Sequence, residues 1–166
     1  MIGKGKSISH GVAALEYDLA KEINGQAVAT EIARHELYGC TGAEMVQEMK
    51  PYHIDFPNVK NNCLRFEVSP SIEESATFTD ADWAELGNDF MQRMGLANHQ
   101  YIIIRHSGTE SKKEQAHLHI LANRVSLSGE LYRDNWIGKK ATEAANAIAK
   151  ERNFVQSQDI GKANKA

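Results

Sequence analysis

Several things are scarce in this chain of 166 residues, and each scarcity removes a class of protein. Cysteine occurs only at Cys40 and Cys63, which form no C-x-x-C and no disulfide framework; two free thiols suit a reducing cytoplasm, where the protein is expected. No apolar run approaches membrane-spanning length, and the N-terminus lacks a signal-peptide core, so no membrane insertion is expected. The G-x-G at Gly3 and Gly5 has no following G-K-[ST], which excludes a phosphate loop there. Neither sign of charge dominates: 19 Lys and Arg face 22 Asp and Glu, for a net charge of -3 and a pI near 6.2. Any nucleic-acid site must therefore be a local basic surface rather than a property of the whole molecule. There is no internal repeat and no low-complexity segment. What remains, 25% charged and 42% hydrophobic, is an ordinary globular composition long enough to bury one core.

The periodicities describe strands and helices in alternation. Met1 to Ser9 reads as an edge strand and turn. From His10 to Glu22 a helix is expected, with Val12, Leu15, Leu19 and Ile23 at helical spacing. Tyr17 points roughly opposite that stripe, on a face carrying His10, Ala13, Ala14, Ala20 and Lys21; it is either a free phenol or one buried where the alanines pack on a sheet. Asn24-Gly25 breaks the helix, and residues 30–37 read as a strand, though 26–38 fits a helix as well. Thr41-Gly42 opens a short helix with Met45, Val46 and Met49, ended by Pro51, and Tyr52 to Asn62 is a loop. Cys63 to Ser69 alternates, with Cys63, Arg65 and Glu67 on one face and Leu64, Phe66 and Val68 on the other. Thr79 with its acidic first turn starts a helix to about Met94, buried along Trp83, Leu86, Phe90 and Met94 and stopped by Gly95. Ser128-Gly129 turns the chain, and Asp134 is expected to cap a last helix through about Arg152, with Ile137, Ala141, Ala144 and Ile148 inward. This order indicates an α+β fold, an antiparallel sheet with helices on it.

The chemistry concentrates between Arg105 and Arg124. If 117–123 is a strand, His117, His119, Leu121 and Asn123 share one face. Two imidazoles two residues apart can converge on one cation. His106 ends the apolar run Tyr101-Ile102-Ile103-Ile104-Arg105, and the polar segment from Ser107 to Gln115 reads as a loop returning an antiparallel neighbour, which would set His106 beside the pair. Imidazole suits several divalent transition ions, and three protein ligands leave positions open for a substrate.

The pattern His106, His117, His119, Asn123 continues into Arg124, Val125 and Gly129, and is preceded by Leu64-Arg65-Phe66-Glu67-Val68-Ser69-Pro70 and an amphipathic helix ending near Gly95. That order resembles the relaxases, the mobilization nucleases of plasmids and conjugative elements within the HUH endonuclease superfamily, over most of the chain from the first helix to about Phe154. The resemblance implies a five-stranded antiparallel sheet flanked by helices. It implies a divalent ion, magnesium or manganese in use with zinc or nickel also suited to imidazole, held by His106, His117 and His119. It implies that Tyr17 is the nucleophile, attacking single-stranded DNA at an origin of transfer to leave a 5′-phosphotyrosine. Accessory mobilization and coupling proteins are the partners that go with that activity. One position departs from the pattern: the family often carries an acidic residue two places after the first histidine, and here that place is Gly108, with Glu110 and Glu114 as the substitutes at hand.

On this reading Asn123 hydrogen-bonds near the site, to a ligand or to the DNA backbone, and the strand is contacted by Lys4, Lys6, Arg105, Lys112, Lys113 and Arg124. Residues 1–155 form the nicking domain, and 156–166 are a polar tail, the start of a linker if the native chain is longer. Three other functions use similar residues. A rolling-circle replication initiator shares the histidine chemistry, a three-histidine phosphodiesterase would hydrolyse without a covalent adduct, and a DNA-binding module would hold a structural metal and cut nothing.

Overall fold

The computed structural model describes residues 1–108 and 115–157; Glu110, Lys112, Lys113 and Glu114 lie outside the described residues, as does the tail from 158 onward. The elements in chain order are β1 Ile2–Ile8, α1 Gly11–Leu19, β2 Glu22–Ile23, β3 Gln26–Ala27, β4 Ala29–His35, α2 Gly42–Met49 with a 3-10 turn Lys50–His53, β5 Cys63–Ser69, α3 Ile72–Ser75, α4 Asp80–Arg93, β6 Tyr101–His106, β7 His117–Asn123 and α5 Ile137–Glu151. Five strands form one sheet in the order β1-β5-β7-β6-β4, every neighbour antiparallel, and β2 and β3 make a separate small hairpin turned by Asn24 and Gly25, both at positive φ. The architecture is α+β, as the element order predicts.

Alternation along each strand divides the sheet between two cores. Leu64, Phe66, Val68, Leu118, Ile120 and Ile103 pack against α4 and α5 through Trp83, Leu86, Phe90, Ala141 and Ile148. The other face carries Cys63, Ile102, Ile104 and Leu121 under α1 and α2, which contribute Ala14, Leu15, Met45 and Met49. The Thr79 capping box forms as expected: its hydroxyl accepts from Asp82 N while the Asp82 carboxylate accepts from Thr79 N. Thr41 caps α2 in the same manner. No helix among the described residues is long and apolar enough to cross a membrane.

Three local expectations are corrected. The first helix ends at Leu19, because Glu22 and Ile23 join the small hairpin. Its buried stripe is Gly11, Ala14, Leu15 and Asp18, with Val12 exposed. The small residues decide this: a Cβ at Gly11 would stand 2.6 Å from Cys63 Sγ, so α1 approaches β5 more closely than a larger side chain there would permit. Asp134 does not cap α5. It accepts from Ser7 Oγ at 2.7 Å and pairs with Arg124 at 3.3 Å, and the residue before the helix is Trp136, in the left-handed region with no side-chain cap.

Candidate metal centre and nucleophile

The face of the sheet under α1 can be read as rows running across the strands. Lys4 on β1 pairs with Glu67 on β5, Glu67 with His119 on β7, and His119 with Ile104 on β6. One row back, Lys6 meets Arg65 and Arg65 meets Leu121; at the front, His117 meets His106. The hairpin β6–β7 thus sets the three imidazoles side by side, with a ligand nitrogen of each within 4.8 Å of the other two. Ring centroids lie 4.4 Å apart for His106 and His119, 4.9 Å for His117 and His119, and 5.4 Å for His106 and His117.

Neighbouring groups orient the rings. His106 Nε2 faces the Asp18 carbonyl at 2.7 Å, and His117 Nδ1 faces the Gln115 carbonyl at 3.0 Å. A carbonyl only accepts, so these nitrogens carry the protons, leaving a lone pair on His106 Nδ1 and on His117 Nε2. His117 Nε2 lies 3.0 Å from His119 Nε2. Burial holds His106 below the ordinary imidazole range, and burial with repulsion from the two neighbouring imidazoles pushes His119 down to about 2. Neutral, converging imidazoles are the donor set a divalent transition ion requires, and the residues present fit such an ion.

The surroundings supply two carboxylates. Asp18 is 1% exposed, and its oxygens accept from Arg65 at 2.6 and 3.3 Å while Oδ1 lies 4.0 Å from His119 Nδ1. Burial raises its carboxyl above the ordinary range, and Arg65 draws it partly back. Glu67 instead faces open space. It lines a cleft of about 210 Å³ together with Tyr17, Lys21, Gly108 and the three histidines. It also lines, with His119, Arg65, Lys4 and Lys6, an adjoining groove of about 250 Å³ toward β1.

Tyr17 is 56% exposed, and Lys21 Nζ donates to its hydroxyl at 2.5 Å while lying 4.8 Å from the ring centre. The phenol is therefore the free one of the two alternatives, and it opens on the histidine cleft. His10 is exposed at the start of α1 and does not line the cleft.

Other singled-out residues stand elsewhere. Asn123 shares the histidine face but is completely buried. Its amide donates to the Met49 carbonyl and Gln100 Oε1, and its oxygen meets His53 Nε2 and Val125 N, so it joins β7 to the turn after α2. Arg105 lies on the opposite face, bound to Asp80 at 2.5 Å. Arg124 is committed to the carbonyls of Tyr132 and Asn61 and to Asp134. Of the basic residues named from sequence, the structure brings Lys4 and Lys6 to the groove.

Sequence reasoning passed over Glu67, Lys21, Asp18 and Arg65. Lys21 was visible as the residue four beyond Tyr17, at the spacing that brings helical side chains together. Glu67 needed the pairing register, and Asp18 needed the rotation of α1.

A family model described as the relaxase MobA/VirD2-like nuclease domain matches residues 17–154, a span that holds Tyr17 and all three histidines. No curated protein matches the chain.

Proposed function

Because the chain belongs to the relaxase family, with its MobA/VirD2-like nuclease domain, we propose that it nicks single-stranded DNA at an origin of transfer by tyrosine transesterification, with Tyr17 as the nucleophile. The observation that carries this reading is the opening of an exposed phenol, with an ammonium on its oxygen, into the cleft walled by His106, His117 and His119. Those three residues would hold the ion, magnesium or manganese by the family and zinc or nickel by ligand type. When bound, it supplies neutralisation of the phosphodiester's negative charge, which otherwise repels a nucleophile.

The chain's own residues do the rest. Tyr17 Oη attacks the scissile phosphorus while the phenolic proton passes to Glu67, the carboxylate that lines the cleft. Lys21 favours the negative charge that grows on the oxygen as the proton leaves. The bond from phosphorus to the 3′-oxygen breaks, that oxygen takes up a proton, and a 5′-phosphotyrosine remains. One phosphodiester has replaced another, so the reverse reaction rejoins the strand without a nucleotide cofactor. The histidine ring atoms are sunk under α1, so the phosphate must arrive on an unpaired strand, and Lys4 and Lys6 along the adjoining groove meet its backbone.

The test is incubation with single strands spanning candidate origins and manganese, read on a denaturing gel. A covalent shift is expected for the parent and none for Tyr17→Phe, whose fold and DNA binding persist because only one exposed oxygen is lost. Cleavage without a shift would instead indicate a hydrolase. Nucleotide mass on a peptide carrying a different tyrosine would sink the assignment of the nucleophile.

A further inference from the structure

We propose that Trp136 is a stacking platform for a base of the DNA strand flanking the nicked phosphate, reached along the β1 edge of the sheet. This rests on the single-strand reading above. The chain has two tryptophans, and they have opposite environments: Trp83 is 3% exposed in the core, whereas Trp136 is 78% exposed. Trp136 also sits at φ 59° and ψ 27°, a left-handed conformation that is costly for a bulky side chain, and it makes no capping bond there. The conformation is held from both sides. Before it, Asp134 is pinned by Ser7 and Arg124; after it, the Trp136 carbonyl accepts from Lys140 N in the first turn of α5. The indole is thereby kept in water.

The surroundings suit a polynucleotide, which alternates phosphates with flat bases. Lys139 and Lys140 line a shallow depression of about 270 Å³ beside the indole, together with Glu143, which faces Lys139 at 3.9 Å. Lys140 Nζ donates to the Arg133 carbonyl and lies 5.3 Å from the Tyr132 ring centre. The depression lies across the edge strand β1 from the groove that adjoins the histidine cleft. Ser7 binds Asp134, and the first turn of α5 lies against β1, where a Cβ on Gly138 would stand 3.7 Å from the Gly5 carbonyl. Gly5 itself lines the groove that carries Lys4, Lys6 and His119. A strand leaving the histidines over these lysines crosses an edge strand of the sheet and comes to Trp136. Stacking on an exposed indole tolerates any base, which is what flanking sequence requires.

The test is fluorescence titration of the intact protein at low salt with an oligothymidylate of about thirty nucleotides, a duplex of equal length and an abasic oligomer of equal length. Trp83 is shielded, so the quenchable signal belongs to Trp136. Quenching is expected with the oligothymidylate and not with the abasic strand, which has the charge without the bases. Trp136→Ala should weaken binding by roughly fivefold to a hundredfold. Trp136→Gly should weaken it as much while leaving the melting temperature unchanged or higher, since glycine occupies the left-handed region freely; a merely structural role would move both together. If the parent binds the oligothymidylate and both variants match it, or the abasic strand quenches equally, the stacking platform is wrong and the single-strand reading survives. A parent that prefers neither single strand to duplex overturns both.

Discussion

Asp18→Ala is the substitution whose effect the geometry defines most closely. The carboxylate is 1% exposed and accepts both arms of the Arg65 guanidinium, so its removal strands a charge. Breaking one side of a fully buried pair costs about 3–5 kcal/mol. Arg65 keeps 21% of its side chain in contact with solvent and can rehydrate in part, and burial already lifts the Asp18 carboxyl above its ordinary range, so its ionised form gives less than the geometry alone suggests. Together these place the loss at about 2–3 kcal/mol. For a chain of this length that is a fall in melting temperature of roughly 5–10 °C. Asp18→Asn keeps the shape and one acceptor and should cost about half as much. The double variant Asp18→Ala with Arg65→Ala should lose at least 1 kcal/mol less than the two singles added together, roughly the coupling of a contacting pair.

A second readout separates packing from positioning. Asp18 Oδ1 lies 4.0 Å from His119 Nδ1, beyond a hydrogen bond, so its hold on the ring is electrostatic. Outer partners of metal-binding histidines are worth about tenfold to a hundredfold in metal affinity, and this separation argues for the low end. Manganese titration of folded Asp18→Asn should therefore show a loss of about tenfold. Additive urea-melt energies for the two singles, or unchanged manganese affinity in Asp18→Asn, would refute the reasoning.

His117→Ala combined with His119→Ala should abolish measurable manganese binding by calorimetry while far-ultraviolet circular dichroism stays native; binding like the parent's would dismiss the triad. Asn123→Ala should cost about 2–4 kcal/mol, because the deletion removes the partner of the Met49 carbonyl on α2, of His53 in the turn after it, of Gln100 just before β6 and of Val125 N just after β7, yet the folded variant should bind manganese as the parent does. His119 has its folded value depressed to about 2 from an ordinary 6.5, so its contribution to stability is complete above 6.5 and declines as pH falls from there toward 2. His106 shifts in the same direction. The unfolding free energy of the parent from urea melts should therefore drop between pH 7 and pH 5 by up to about 2 kcal/mol from His119, and His119→Asn should flatten that slope; an equal slope in both would refute the assignment.

Period-two patterning made the sheet legible. The strand Cys63–Ser69 and its two faces follow directly from alternation, and the meeting of His106 with His117 follows from two apolar runs joined by a polar loop. Alternation assigns a face, however, and not a distance along the strand. Asn123 is on the histidine face yet four residues beyond His119, roughly 13 Å at the rise of a strand, which is why its partners belong to the turn after α2 rather than to the cleft. Arg105 and Arg124 look like free surface charges in the sequence, and each is consumed by a carboxylate that the fold brings to it, Asp80 for one and Asp134 for the other. Asp134 shows the same competition from the acid's side: a carboxylate close before a helical run reads as a natural cap until a serine and an arginine claim it.

Under the proposed chemistry, Asp18 on α1 and Glu67 on β5 take the part of the acid that is missing at Gly108. Asp18 and Glu67 stand on two sides of His119 and cannot exchange duties. Asp18 is sealed from solvent with its oxygens directed at Arg65, so it can steady the ring but has no path for a proton from bulk water or substrate. Glu67 pairs with His119 across the ladder and looks into both the Tyr17 cleft and the lysine groove, where a proton could come and go. Under the proposed chemistry the orienting task and the proton-accepting task therefore fall to different carboxylates. The first is delivered by the residue after the nucleophile. Its carbonyl binds His106 at 2.7 Å while its carboxylate grips β5 through Arg65, so the helix that presents Tyr17 is tied to a metal-site histidine and to the sheet by one amino acid. A change at Asp18 should for that reason disturb nucleophile and metal site together, whereas a change at Glu67 should slow the reaction with metal affinity and stability largely kept.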